Sequence, residues 1–388
     1  MNARTNRWLV AAAIAALILG AILSRVIEPG VRVKRIMLTT NTPALRLFPT
    51  TPGPYPIALL AHGNLASKEM LFRFGEALAA AGFDCYSVDQ AGFGESLQPL
   101  SLTNLLLKPQ ELERALGAVD VFIGHSMGGG MGAWGVREGK FRPKLFIGVG
   151  AADPLGEHVP PVLLLFGRFE EFGIPAQTNA QVVISPWSDH ALEAFDPVLV
   201  RAAVKAACAT VGKPVPAAPT AWRWRFAGFV LGIAGALVLM FRLPELHPRL
   251  ARIRGFIVPA VPLIAIILTW GTWFGLAPQW RRIPQQLVLL VVIWLALAGL
   301  SRLRMPRWSL PVVTGILAIG CVPLSTAYPT NFFPFVMLTI ILGSCTVSLL
   351  AAVAVGTIAT RGGLRRDGDI AMAIFASYGI GQFMPLFY

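Results

Sequence analysis

The chain is short of charge. Only 14% of its 388 residues are Asp, Glu, Lys or Arg, against roughly a quarter in an ordinary soluble domain. Its hydrophobic fraction is 55%, which excludes a disordered chain of the polar, charge-rich kind. Lysine does not occur after Lys213, and acids after residue 216 are confined to Glu245, Asp367 and Asp369. Cysteine is also scarce: the four present form no C-x-x-C and no Cys/His cluster, so no zinc or dithiol redox motif is supported. There is no Walker A sequence, so that phosphate cradle is not expected. No long internal repeat is present, which argues against a solenoid.

What is there is a net charge of +13, unevenly spread. Residues 216–388 hold 14 Arg and three acids, a balance of +11, whereas residues 1–215 hold +2. A basic chain can signal nucleic acid. Here the excess lies between long apolar runs, where arginine marks membrane topology, and no nucleic-acid partner is expected. The first run extends from Trp8 to about Ile27 behind Arg4 and Arg7, the length and flank of an anchor or signal sequence. It lacks a good small-x-small cleavage site, which favours an uncleaved anchor. Six further runs lie near 226–243, 256–276, 285–300, 309–328, 333–359 and 369–388, giving an all-α transmembrane bundle of about six helices. In the first of these, Gly228 and Gly232 form a GxxxG, a candidate close helix contact. Ten Arg fall in one set of loops and four, including Arg223 and Arg225, in the other. The positive-inside rule then puts the N-terminus in the cytoplasm and the segment between the first two spans outside it. Asp, Glu, Lys, Arg and His are absent from the interiors of the six spans, which argues against a coupled transporter and for a scaffold or a bundle that presents lipid.

The expected organisation is an anchor at 1–28, a polar domain at 29–213, a Pro-rich linker at 214–222 and the multi-pass region at 223–388. In the polar half, strand-like runs at 57–61, 85–88, 119–124, 144–149, 162–166 and 182–184 alternate with helical stretches at 67–81, from 127, and at 197–209. That alternation predicts an α/β fold around a mostly parallel sheet. Cys85 and Cys208 fall in this half and are expected as buried thiols, with a disulfide as the alternative.

Gly124-His125-Ser126-Met127-Gly128 matches G-x-S-x-G. An apolar strand runs into it, and Gly129, Gly130 and Gly132 open the following helix. A nucleophile elbow needs this context, because a Ser in a strained turn tolerates only small neighbours. The helix N-terminus would then aim N–H groups at developing negative charge. An earlier strand ends in Ala61-His62-Gly63-Asn64, and the next in Asp89-Gln90-Ala91-Gly92-Phe93-Gly94-Glu95-Ser96.

In that order these motifs resemble the α/β-hydrolase superfamily, in its serine-hydrolase branch of esterases, lipases and peptidases, over about residues 30–212. The resemblance implies a doubly wound sheet with Ser126 as nucleophile and the backbone N–H groups of Met127 and Asn64 as oxyanion donors. His62, Asp89 and Ser96 would be structural. The base comes last in chain order. Among His62, His125, His158 and His190, only His190 follows a late strand, and Glu193 and Asp196-Pro197 fit the family's ending. The family's G-x-x-D is met by Gly167-Arg168-Phe169-Glu170, so the implied acid is Glu170. Glu171 is a register alternative, and Asp153 is the main rival. Asp189 is badly placed to reach its own neighbour's ring.

These residues imply acyl transfer without metal or organic cofactor. Short connections at 97–116 and 150–161 predict no cap, hence an open site. With a span on each side, the domain lies close to the bilayer, which favours lipid or lipid-linked esters. A serine peptidase or amidase using the same residues is the alternative within enzymes. A non-catalytic ligand-binding or transport-linked protein is the alternative outside them.

Overall fold

The computed structural model describes residues 3–64, 66–151, 159–170, 172–174, 180–190, 192–243, 246–247, 249–250 and 261. The chain divides into two compact units. One comprises Val26–Arg225, and the other holds Met1–Arg25 with most of the chain from Phe226 onward.

The first unit is built on an eight-stranded mixed sheet. Its strands are β1 (Val31–Thr39), β2 (Thr42–Pro49), β3 (Ile57–Ala61), β4 (Asp84–Val88), β5 (Val121–His125), β6 (Leu145–Val149), β7 (Val162–Phe169) and β8 (Gln181–Asp189), in spatial order 1-2-4-3-5-6-7-8. From β4 to β8 every pairing is parallel. The central strands IALLA, VFIGH and LFIGV are apolar almost throughout, as burial on both faces requires. Two helices, α2 (Phe72–Ala80) and α5 (Pro197–Thr210), pack together, and so do α3 (Leu102–Leu116) and α4 (Met127–Arg137). Leu59, Phe122 and Phe146 of the sheet join Leu112, Ala133 and Val136 of α3 and α4 in one apolar cluster. Leu47, of opposite parity to Ala44 in that cluster, meets Gly75 of α2 instead.

The expected strands all form, within a few residues of the expected bounds. The antiparallel pair β1–β2 was not anticipated: Val31 to Pro49 is threaded with Arg, Lys and Pro, which obscure a period of two. Nor was α3, whose Pro109 interrupts its pattern; Ser101 caps it by accepting from Asn104 N at 3.1 Å. Cys85 and Cys208 are buried free thiols.

Helix α1 (Ala3–Leu23) and, from Phe226 onward, helix α6 (Ala221–Arg242) are the principal described elements of the second unit. Segments Arg4–Leu23 and Ala221–Leu239 within them are long and apolar enough to cross a membrane. They touch through glycine: a Cβ on Gly20 would lie 2.6 Å from Gly228 O and 2.8 Å from Gly232 N. The GxxxG thus faces α1, where small residues let backbones approach. The expected spans from 256 onward lie outside the described residues.

The glycines of α4 make unequal demands. A Cβ on Gly128 would collide with backbone oxygens of Ala61 and His62, whereas one on Gly130 meets nothing within 4 Å. Gly128→Ala should therefore cost about 2 kcal/mol or more and lower Tm by about 4 °C or more for a domain this size. Gly130→Ala should gain about 0.5–1 kcal/mol from helix propensity. Thermal melts of the two variants check the contrast.

Candidate active site

Ser126 sits between β5 and α4 with φ 49° and ψ −117°. Among the described residues it alone has positive φ without being glycine. Such a backbone costs on the order of 1–3 kcal/mol and persists only when its surroundings hold it. Here they do. Ser126 N donates to Val149 O of β6 at 2.9 Å, and Ser126 O accepts from Gly130 N at 2.9 Å. Gly128 abuts the end of β3, and Gly129 abuts Gly124 and Ala151. The contact of Gly128 with Ala61 and His62 brings the first turn of α4 against the segment leading to Asn64. The two expected oxyanion donors, Met127 N and Asn64 N, thus belong to neighbouring backbone segments.

The structure brings His190 and Glu170 together. His190 Nδ1 lies 2.9 Å from Glu170 Oε2. Glu170 stands one residue past β7 and His190 one past β8, and these strands pair in parallel. Burial pushes the Glu170 carboxyl up. Hydrogen bonds from Glu193, His190 and Phe172 N outweigh that and hold it below the ordinary carboxylate range. The rivals Asp153 and Glu171 lie outside the described residues.

Glu193 is the residue that sequence reasoning undervalued. It is wholly buried. Its Oε1 accepts from Gly167 N at 2.5 Å, and its Oε2 lies 3.9 Å from His190 Nδ1 and 4.0 Å from His125 Nε2. Gly150, at φ 52°, leaves the space that the Glu193 carboxyl and the His190 ring occupy. Two carboxyls can hydrogen-bond only by sharing a proton. The one signal of Glu193 in the sequence was its spacing of three from His190.

The other two described histidines of the hydrolase unit, His62 and His125, are neutral. His62 Nε2 accepts from Gln90 N at 3.1 Å, and His62 Nδ1 donates to Gly63 O at 2.7 Å. Burial lowers its pKa to about 4. His125 Nε2 donates to His190 O at 2.9 Å, and burial, with the nearby His190, lowers its pKa to about 4 as well. His125 therefore supports the backbone of the His190 loop. Nitrogen and oxygen atoms of His125, His190 and Glu193 come within 4.8 Å of one another. His125 Nε2 and His190 Nδ1 are already engaged with His190 O and Glu170, so a cation there would have to displace those bonds.

A buried ionic cluster secures the loop after β3. Lys68 is fully buried, with Nζ 2.7 Å from Asp89 Oδ2, 3.0 Å from Glu95 Oε2 and 3.4 Å from Glu69 Oε1. Arg35 closes the cluster at 3.0 Å from Glu69 and 3.2 Å from Glu95. Asp89 also accepts from Lys68 N and Glu95 N. Burial raises its carboxyl to about 6 against the pull of Lys68. Asp89 and the motif it opens thus tie the β3 and β4 loops together. Lys68, absent from the motif, supplies the charge that permits it.

Residues 56–139 match the family model described as alpha/beta hydrolase fold. The polar domain carries that fold. Structural neighbours of the hydrolase domain include the thioesterase domain of the curacin biosynthetic pathway, at 14% identity and TM-score 0.36, covering 47% of this chain and 99% of that one. Another is the carboxylesterase CesB from Bacillus subtilis, at 15% identity and TM-score 0.34, covering 50% and 95%. A third is an esterase of M. tuberculosis, at 13% and 0.38, covering 52% and 98%. No curated protein sequence matches.

The two glutamates are separable by isosteric replacement. Glu170→Gln should lower kcat by about 10³–10⁴, because it removes the charge that orients His190 and stabilises its cation. Glu193→Gln keeps an acceptor for Gly167 N, and should stay within about tenfold of wild type. Steady-state kinetics giving the reverse order would make Glu193 the acid.

Proposed function

We propose that the chain is a membrane-anchored serine hydrolase of carboxylic esters. The observation that carries this reading is the strained backbone of Ser126 at the mouth of α4, with the paired His190 and Glu170 on the adjacent strand ends. A serine without a task has no reason to be held at positive φ.

In the mechanism that follows, Ser126 Oγ attacks the ester carbonyl while His190 Nε2 takes its proton. The oxyanion rests on the N–H groups of Met127 and Asn64. Glu170 holds the imidazole through Nδ1 and offsets its positive charge. His190 then protonates the departing alkoxide, leaving an acyl group on Ser126. Water, deprotonated by the same imidazole, releases the acid and restores the serine.

The surroundings favour an apolar ester. Phe172 is 80% exposed and lies edge-on to His190 at 4.6 Å between ring centroids. Leu97, Trp187 and Leu192 are also exposed on segments near or following the C-terminal ends of strands. Exposed apolar groups beside a catalytic base suit an acyl chain or lipid alcohol, since each buried methylene contributes about 0.8 kcal/mol. Two candidate spans flank the hydrolase domain. Together with the arginine distribution of the sequence, they support a multi-pass protein whose catalytic domain faces away from the cytoplasm and whose substrate is a lipid or lipid-linked ester.

Labelling of native membranes with a fluorophosphonate tests the reaction class. Wild type should label and Ser126→Ala should not. Equal labelling of both, or of neither, contradicts the proposal.

A further inference from the structure

In the sequence, Arg225 reads as a loop charge ahead of a membrane span. In the structure it is spent inside the hydrolase unit. Its side chain is fully buried, and so, nearly, is that of Glu76 in α2. The pair is bidentate, with Nη1 2.7 Å from Oε1 and Nη2 2.6 Å from Oε2. Arg225 Nη1 also donates to Val26 O at 2.8 Å, and Glu28 N donates to Glu76 Oε1 at 3.0 Å. Glu28 Oε2 in turn accepts from Thr220 N and Ala221 N, both at 2.8 Å, and so caps the start of α6. The expected linker is pinned as well: Arg201 Nη1 donates to Pro216 O at 2.5 Å and Lys213 Nζ to Gly82 O at 2.8 Å. A charge pair this deeply buried persists only when its geometry is good, and here both Nη atoms of Arg225 are bonded.

One residue of this cluster reaches the site. Arg73, in the first turn of α2, is 7% exposed. Its guanidinium stacks on the Trp222 ring at 4.7 Å, and its Nη1 donates to the carbonyl of Phe195. Phe195 ends the short 3₁₀ turn Glu193–Phe195 that follows His190. The same turn carries Glu193, the carboxyl between His190, His125 and Gly167. Burial, with Arg225 nearby, lowers the Arg73 pKa to about 10, so it remains a cation at neutral pH. A guanidinium over an indole face contributes on the order of 0.5–2 kcal/mol.

We infer that the segment Thr220–Arg225, at the entry to α6, positions the catalytic histidine loop: Trp222 and the Arg225–Glu76 pair orient Arg73, whose bond to Phe195 O sets the turn bearing Glu193. Arg73 and Trp222 are positioning residues. They touch no reacting atom. The inference rests on the proposed role of His190, and it makes residue 225, rather than 213, the functional end of the hydrolase domain.

The test uses the full chain in lipid nanodiscs, as wild type, Trp222→Ala and Trp222→Phe. It reads the rate of fluorophosphonate labelling, the split between kcat and KM, and amide exchange of residues 192–199 against 126–137. Trp222→Ala should slow labelling and lower kcat about tenfold with KM unchanged within twofold. It should also speed exchange in 192–199 while leaving 126–137 as in wild type. Trp222→Phe, which keeps an aromatic face, should restore both. An unchanged rate and exchange in Trp222→Ala would overturn the inference. So would exchange that rises evenly across the domain, which marks a packing role only. If wild type itself fails to label, the hydrolase reading falls, and the exchange comparison still decides whether Trp222 braces the turn.

Discussion

The backbone at Ser126 is the constraint on which the rest of the site depends. A non-glycine residue at φ 49° is not held by its own preferences. It is held because β6 takes its N–H, α4 takes its carbonyl, and Gly124, Gly128 and Gly129 leave room for backbone to meet backbone. Each of these supports lies on an element whose position the sheet fixes. The turn is therefore strained at one residue and relaxed around it, the pattern expected where geometry serves chemistry.

Around that turn, buried charge is used to fix loops rather than to bind solvent. Lys68 with Asp89, Glu69 and Glu95 joins the loops after β3 and β4. Arg225 with Glu76 joins the two ends of the hydrolase unit to α2. Glu193 with Glu170 flanks His190. Each cluster removes polar groups from water at a cost, and each makes several hydrogen bonds that offset part of it. The loops after β3 and β4, the two ends of the hydrolase unit and the His190 loop are thus each held by a different cluster.

Much of this was legible in the chain. The strands β3 to β8 announce themselves as short apolar runs, and G-H-S-M-G-G after such a run points to the elbow because only small residues fit there. The resemblance to the family's G-x-x-D pointed to Glu170 as the partner of His190. The remainder was hidden for physical reasons. β1 and β2 form an edge of the sheet and mix charged with apolar residues, so their period is weak. Glu193, Lys68 and Arg225 act through long-range contacts, and a lone charge in a sequence looks the same whether it is solvated or buried. Arg225 in particular was counted among topology charges, although its guanidinium is wholly inside the domain.

The central claim, that Ser126 carries an acyl group during turnover, is tested most directly by rapid quench of the full-length protein with an activated 4-nitrophenyl ester, followed by mass spectrometry of the peptide containing Ser126. The account predicts a burst of about one nitrophenolate per chain and the acyl mass on Ser126. Steady turnover with no burst, or with the acyl mass on another residue, would contradict it.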